Sequence, residues 1–276
     1  MSQASAPISE DRVRVHIVVL TKPVPDPAAA AERLGPDGRL DRAASPSVVN
    51  GNDEYALEAA LKLTEAHGGE VSLLTMAPAG ATDTMRKALA MGATRGVLVT
   101  DPALAGSCVR STVQVLAAAL RDLTFDLVFA GADTSDGGGG IVAAGVAALL
   151  RLPYLSNAAR IEPDPVSGRV QVRRITATGY DLLEAPMPAL VVCTQVLGEP
   201  RYPSLKGIMS ARSKEIATRS LGDLGLSAEA VGGTVATTQL LGTRRPPARG
   251  ATQVVRGSAE EGAREIVAFL ESRRLI

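Results

Sequence analysis

Short apolar runs alternate through the first half of the chain with longer segments whose apolar positions recur at helical spacing. Val13–Leu20 (VRVHIVVL) is a β-branched run suited to a strand buried on both faces. It ends at Thr21-Lys22-Pro23-Val24-Pro25-Asp26-Pro27, where the prolines forbid a continuing ladder or helix and predict a rigid loop. After the polar excursion Gly35-Pro36-Asp37-Gly38, the segment Asp53–His67 carries Tyr55, Ala56, Ala59, Ala60 and Leu63 at helical spacing. Asn50, Asn52 and Asp53 are its expected caps, and Gly68-Gly69 its stop. The pattern then repeats: strand Glu70–Met76, helix Thr82–Met91 ended by Gly92, strand Gly96–Thr100, helix Ser107–Leu120, strand Asp126–Gly131 and helix Gly140–Leu150. Strands alternating with helices in this way predict a parallel sheet with right-handed crossovers, that is, a doubly wound α/β domain.

The pattern changes after Pro153. Gly168–Thr176 and Tyr180–Glu184 read as a hairpin of alternating polarity, followed by the apolar strand Ala189–Thr194 and the segment Val196–Lys214. From Arg219 to Gly257, Gly, Thr, Pro and Arg are frequent and no core of its own is evident, so this linker is expected to lie on another surface. Ser258–Arg274 closes the chain as an amphipathic helix bearing Ile266, Val267, Phe269 and Leu270. The sequence contains no internal repeat and no low-complexity tract beyond one glycine run.

Composition narrows the chemistry. With 276 residues, 46% of them hydrophobic and 21% charged, the chain is large enough and apolar enough to build a sizeable core without disulfides. Lys+Arg and Asp+Glu both total 29, and aromatic residues are 3% with no Trp. The global positive field and stacking surface of a nucleic-acid-binding protein are therefore missing, leaving only a local basic patch open. Cys108 and Cys193 lack metal-ligand spacing, and His16 and His67 are the only histidines, too few for a zinc site or a histidine-dependent triad. Met1–Arg12 is polar and unlike a signal peptide, and the longest apolar stretch, Ile141–Leu150, is about half of the ~20 residues a spanning helix needs. A cytoplasmic protein with no membrane insertion is expected.

In doubly wound sheets a ligand lies beyond the carboxyl ends of the strands where strand order reverses. Two loops qualify: Lys22–Pro27, and Gly131-Ala132-Asp133-Thr134-Ser135-Asp136-Gly137-Gly138-Gly139-Gly140, which runs into a helix. Glycines at a helix N-terminus let backbone N–H groups approach a phosphate while the helix dipole favours its charge. They equally serve a tight strand-to-helix turn, and the residues alone leave both readings open. The tract is neither GxGxxG nor GxxxxGK[ST], and no GxSxG elbow occurs, so hydride transfer, Walker-type ATP hydrolysis and serine-nucleophile chemistry lose support. Lys22 is either a phosphate partner or a solvated surface residue. Asp133 and Asp136 read either as an acid/base pair or, with more support, as loop aspartates that cap or bind backbone. No catalytic constellation assembles.

The other informative segment is Gly198–Lys214 (GEPRYPSLKGIMSARSK). Pro200 and Pro203 stiffen it, Ser204 is suited to cap a short helix, and Leu205, Ile208 and Met209 form an apolar set beside Lys206, Arg212 and Lys214. That is either a docking knob ringed by positive charge, suited to an acidic partner, or an ordinary amphipathic helix with its apolar face on the core.

These motifs in order strongly resemble the β subunit of electron-transfer flavoproteins: Lys22-Pro-Val-Pro-Asp26, Asn50-x-x-Asp53-Glu-Tyr-Ala-Leu-Glu58-x-Ala60-Leu61, Arg86-Lys-Ala-Leu-Ala-Met-Gly-Ala93, the Gly131–Gly140 loop and Glu199-Pro-Arg-Tyr-Pro-Ser-Leu-Lys-Gly-Ile-Met209. The resemblance spans Val13 to the C-terminus, and its last segment is the most specific. It implies a sheet of adenine-nucleotide-binding type with a C-terminal extended arm and helix. It also implies an electron-transfer carrier subunit rather than an enzyme, paired with an α subunit that holds most of the FAD, while the β subunit binds AMP structurally. The implied nucleotide contacts are Leu20, Lys22, Asn50, Asn52, Asp53, Met76, Gly131, Asp136, Gly137, Gly138, Gly139, Gly140, Ile141 and Val142. Many members carry Asn-Gln-Thr where this chain has Gly140-Ile141-Val142, which leaves backbone N–H groups as the phosphate ligands. The implied docking residues are Pro203, Leu205, Lys206, Ile208, Met209 and Arg212, with Leu205 entering an apolar pocket on a flavin dehydrogenase, such as an acyl-CoA dehydrogenase of fatty acid oxidation.

Electrons would leave for a quinone-linked acceptor. Val172-Arg173-Arg174-Ile175 stands where many members have a Val-Glu-Arg-Glu-like run, so Ile175 cannot make that acid's pair with the α subunit. The implied organisation is a flexible tail over 1–12, a nucleotide-binding domain over 13–217 with a recognition loop at 196–214, and an arm and helix over 218–276 packing on the α subunit. Two further functions stay in view: a bifurcating flavoprotein with a second FAD in the β subunit, and a stand-alone nucleotide-binding regulatory domain.

Overall fold

The computed structural model describes residues 14–29, 34–244, 247 and 254–276. They fall into two compact units, the first ending at Leu240 and the second beginning at Leu241. In chain order the first unit contains β1 (Val15–Leu20), β2 (Pro23–Pro25), β3 (Ser47–Val49), α1 (Gly51–His67), β4 (Gly69–Met76), α2 (Thr82–Met91), β5 (Arg95–Val99), α3 (Val109–Arg121) and β6 (Leu127–Gly131). It continues with α4 (Val142–Leu150), β7 (Tyr154–Asp164), β8 (Arg169–Thr176), β9 (Gly179–Pro186), β10 (Ala189–Cys193), α5 (Leu205–Ala211) and β11 (Ile216–Arg219). The second unit contains α6 (Ala259–Ser272), which begins with a reciprocal capping box between Ser258 and Glu261.

Nine strands form one sheet in the order β11-β5-β4-β1-β6-β10-β7-β8-β9. The run from β11 to β7 is parallel, and β8 and β9 extend it antiparallel. From β1 the chain moves outward through β4 and β5, then returns to β6 on the other side of β1, so strand order reverses between β1 and β6. The alternation along β1 explains why its residues are apolar throughout: Val15, Ile17 and Val19 join the core beneath α1 and α2, while Val18 and Leu20 join the core beneath α3 and α4. Burying each such side chain contributes roughly 1.5–3 kcal/mol, enough to fix the register of a strand covered on both faces.

The structure departs from the sequence expectations in four places. Pro23–Pro25 is not only a loop: it pairs antiparallel with Ser47–Val49 in a separate two-stranded sheet, where a three-residue ribbon tolerates prolines that a central strand would not. The eleven-residue β7 has no counterpart in the sequence reading. Its buried residues Leu155, Ala158, Ile161 and Pro163 break period-two alternation, because the chain bulges twice: against β10 around Asn157, which has φ +52°, and against β8 at Ala159. Helix α4 begins at Val142 rather than Gly140, whose φ of +61° keeps it outside the helix. Finally, the first part of the linker does contribute to a core: after β11, which pairs with β5 and ends where the linker begins, Leu221 and Val231 are buried against the α3 side of the sheet. Among the described residues no helix is long and apolar enough to cross a membrane.

Candidate nucleotide and docking sites

The carboxyl edge of the sheet brings the first site together. Leu20 and Met76 end the neighbouring strands β1 and β4, and the turn after β1 is tied across that edge by a 2.6 Å hydroxyl contact between Thr21 and Thr75. The Lys22 backbone N–H donates to Asp53 Oδ2 at 2.8 Å, and the Asn50 N–H donates to the Lys22 carbonyl at 3.0 Å. The N-terminus of α1 is thereby fastened to the β1 loop. Gly131, at the end of β6, closes the same corner: a Cβ there would lie 2.6 Å from Asp53 Oδ1 and 2.7 Å from the Asn52 carbonyl carbon. Only glycine fits. Asp53 is buried, and burial pushes its carboxyl up to about 7 against hydrogen bonds from Asn50 and from the Lys22 and Gly131 amides.

The asparagines do not cap α1 as expected. Asn50 Nδ2 donates to the Asp133 carbonyl at 2.8 Å while its Oδ1 accepts from the Ser135 N–H at 3.2 Å, and Asn52 Nδ2 reaches Asp133 Oδ1 at 2.6 Å. Both hold the loop after β6. Further along that loop, Asp136 accepts from Lys22 Nζ at 2.7 Å and from Arg42 Nε at 2.8 Å, with only 1% of its side chain exposed. Burial works to raise its titration, yet the two cations hold it below the ordinary aspartate range. Asp133 and Asp136 thus face different partners and form no acid/base pair. Arg42 was not singled out in the sequence; its distance from the glycine loop along the chain hides the contact.

The glycine run faces outward. Gly137 and Gly138 donate to the Thr134 carbonyl at 3.2 and 2.7 Å, Gly138 and Gly140 adopt φ of +54° and +61°, and a Cβ on Gly138 or Gly139 would meet nothing within 4 Å. The amides of Gly139, Gly140, Ile141 and Val142 meet no acceptor among the described residues, and α4 starts directly behind them. Open N–H groups at a helix N-terminus, with Lys22 and Arg42 alongside, suit a phosphate. Ile141 is 56% exposed and, like Val142, brings no polar atom on its side chain. Beside the loop, a cleft of about 450 Å³ is lined by Val24, Pro27, Val48 and Tyr55, by Asn50 and Ser135, and by the acidic side chains of Asp26, Glu54 and Asp133. Its size lies in the range of small-ligand sites, but its acidic residues disfavour an anion, so the fit to an adenylate rests on the open amides beside Lys22 and Arg42 for the phosphate and on the cleft's apolar residues for the base.

The second site lies on α5. Ser204 caps this seven-residue helix by accepting from the Gly207 N–H at 3.1 Å. Its apolar residues point outward: Leu205 is 77% exposed, Met209 67% and Ile208 47%, and the preceding Tyr202 is 96% exposed. Ala211 alone is buried. Of the cations expected around them, Lys206 and Arg212 are exposed, but Lys214 turns inward to donate to the Leu89 and Ala93 carbonyls at 2.9 and 2.6 Å. Pro203 is half-buried at the base of the helix. The reading of α5 as an ordinary core-facing helix does not hold.

A doubly wound, mostly parallel α/β sheet, with a glycine-lined switch point and an outward apolar helix on another surface, defines the class. The family model described as "Electron transfer flavoprotein domain" matches residues 37–224. The chain is 36% identical over 267 residues to the "Electron transfer flavoprotein subunit beta" of Mycobacterium tuberculosis, covering 95% of this chain and 99% of that protein. It is 34% identical to "Caffeyl-CoA reductase-Etf complex subunit CarD" of Acetobacterium woodii over 95% of this chain and 100% of that protein. It is also 39% identical to "Protein FixA" of Azorhizobium caulinodans over 77% of each chain. The chain belongs to the electron-transfer flavoprotein β-subunit family, and electron transfer is the role that goes with it.

Two expectations follow from the corner at Asp53. Gly131→Ala forces a methyl group into Asp53 and the α1 backbone and is expected to lower stability by about 3 kcal/mol in urea denaturation. The folded chain keeps the Asp53 proton between about pH 4 and 7, where the unfolded chain has released it. The stability this proton contributes is therefore full below about pH 4 and is lost as pH rises to 7. Urea midpoints measured across that window should fall for the wild type relative to Asp53→Asn, which keeps the shape and does not titrate.

Proposed function

We propose that this chain is the β subunit of a heterodimeric electron-transfer flavoprotein, that it binds AMP as a structural ligand at the β1–β6 switch point, and that it docks flavin dehydrogenases through α5. The observation that carries the reading is the outward display of Leu205, Ile208 and Met209 on a short, capped helix. A soluble surface rarely presents such an apolar cluster on an ordered element without a partner for it. The flavin, held mainly by the α subunit, supplies the electron-accepting and electron-donating chemistry. The residues of this chain hold and orient: Lys22, Arg42 and the amides of 139–142 face the AMP phosphate, Asn50 and Asn52 fix the loop that presents those amides, and Leu205 anchors the dehydrogenase. Anchoring at one point raises the effective concentration of the two redox centres while the flavin-bearing part samples orientations, so loose binding and fast transfer coexist. Electrons then pass to a quinone-linked acceptor.

A second reading has its own support. CarD is among the relatives, and the space over Gly138 and Gly139 is open to a larger ligand, which supports a second FAD of a bifurcating flavoprotein as the β-site nucleotide.

Co-expression with an α-like chain, followed by denaturation of the purified heterodimer and nucleotide analysis, separates the two. Equimolar AMP and FAD are expected; two FAD and no AMP would establish the bifurcating form, and FAD without any second nucleotide would remove the switch-point role. Leu205→Ala is expected to slow reduction of the heterodimer by an acyl-CoA dehydrogenase about tenfold, in keeping with loss of a central apolar anchor, and to leave heterodimer assembly intact. Unchanged reduction kinetics in stopped-flow would take Leu205 out of the anchor role.

A further inference from the structure

Helix α5 has seven residues, too few to hold helical structure by themselves, and it buries only Ala211. Something other than the core must keep it in place. Arg201, three residues before the Ser204 cap, reaches back to α1. Its backbone N–H and Nε donate to Glu58 Oε2 at 3.2 and 2.7 Å, and its Nη2 donates to Glu58 Oε1 at 3.1 Å and to Glu65 Oε2 at 3.0 Å. Glu58 is 3% exposed, with Lys62 Nζ at 3.5 Å as its other cationic neighbour. On the far side, Arg86 of α2 donates to the Ala211 carbonyl and to the Lys214 carbonyl at 3.0 Å, while Lys214 donates to carbonyls at the end of α2. The C-terminus of α5 thus receives a cation from α2, and the C-terminus of α2 one from the segment just after α5, where in each case the dipole favours positive charge. A Cβ on Gly207 would stand 2.3 Å from the Ala90 carbonyl oxygen, so α5 lies directly on α2.

The arginine fork is what distinguishes this arrangement from ordinary packing. A buried carboxylate is costly to maintain, and an apolar pair would hold two segments together at least as strongly, but a planar guanidinium gripping two carboxylates fixes direction as well as distance. That fork fastens a segment whose apolar residues face solvent. We propose that Arg201, gripping Glu58 and Glu65 on α1, is the positioning residue of the docking element: it holds α5 ordered before any dehydrogenase arrives, so that binding has little ordering left to do. The proposal rests on the docking role of α5.

The test uses the purified heterodimer carrying Arg201→Lys, which keeps one charge and loses the two-carboxylate fork, with Glu58→Gln as a second variant that keeps side-chain shape. Hydrogen exchange at the amides of 203–211 is expected to accelerate about tenfold while the sheet amides stay at wild-type rates, as local loss of order requires. With an acyl-CoA dehydrogenase as the electron donor, KM for the heterodimer should rise about tenfold and kcat stay within about twofold, the pattern of lost uniform binding. In a Leu205→Ala background the same substitution should raise KM by clearly less than tenfold, because the central part of the display it positions is gone. Unchanged exchange at 203–211, acceleration spread over the whole sheet, or a KM effect that multiplies with that of Leu205→Ala would overturn the proposal. Failure of the docking reading has its own signature: Leu205→Ala alone leaves KM unchanged, and the positioning role then falls even where exchange accelerates.

Discussion

The corner where Asp53, Gly131 and the Lys22 amide meet sets where both candidate surfaces stand. Asp53 lies in the first turn of α1 and accepts from the turn that ends β1, while Gly131 ends β6 with no room for a side chain against that carboxyl group. The contact therefore joins the two strands between which sheet order reverses, and it does so through a helix. Loosening it would let α1 pivot away from the sheet edge, and the loop after β6, held by Asn50 and Asn52, would move with it.

The same helix reaches the other surface. One and three turns along α1 from that corner, Glu58 and Glu65 receive Arg201, so the element that displays Leu205 is referenced to the same rigid body that frames the switch point. This arrangement serves two surfaces with opposite needs. At the switch point the backbone must be open, with glycines at positive φ and amides that find no acceptor among the described residues. On α5 the backbone must be closed, with both helix ends satisfied by Ser204 and Arg86, so that apolar side chains can be exposed without the segment unravelling.

How much of this was legible depended on whether the signal was local. The alternation of β-branched strands and amphipathic helices is written within each segment, so the doubly wound sheet, the reversal beside β1 and the glycine-lined loop could all be read from the chain. The bulged β7 could not, because extra residues near Asn157 and at Ala159 shift its buried positions off period two. Contacts between distant residues were equally hidden. Nothing near Arg42 or Arg201 announces that one meets Asp136 and the other Glu58, and Lys214 looks like any surface lysine until the end of α2 is placed beside it. Asn50 and Asn52 sit where caps belong; only the folded loop shows that their side chains turn to Asp133 and Ser135 instead. The direction in which α5 faces was likewise undetermined by spacing, since the same apolar positions suit a buried or an exposed face.

The charges at the switch point carry a consequence for any phosphate that binds there. Lys22 and Arg42 already share Asp136, whose carboxylate is almost entirely enclosed, so part of their positive charge is neutralised before a ligand arrives. An incoming phosphate has two sources of attraction left: the remaining cationic excess, and the partial positive charge of roughly half a unit at the α4 N-terminus. Side-chain hydrogen bonds at Ile141 and Val142 cannot add to these. Any phosphate at this edge would be held electrostatically and by main-chain donors, whereas the neighbouring cleft, where Asp26, Glu54 and Asp133 stand among Val24, Pro27, Val48 and Tyr55, disfavours a second anionic group and leaves its apolar residues to an uncharged one.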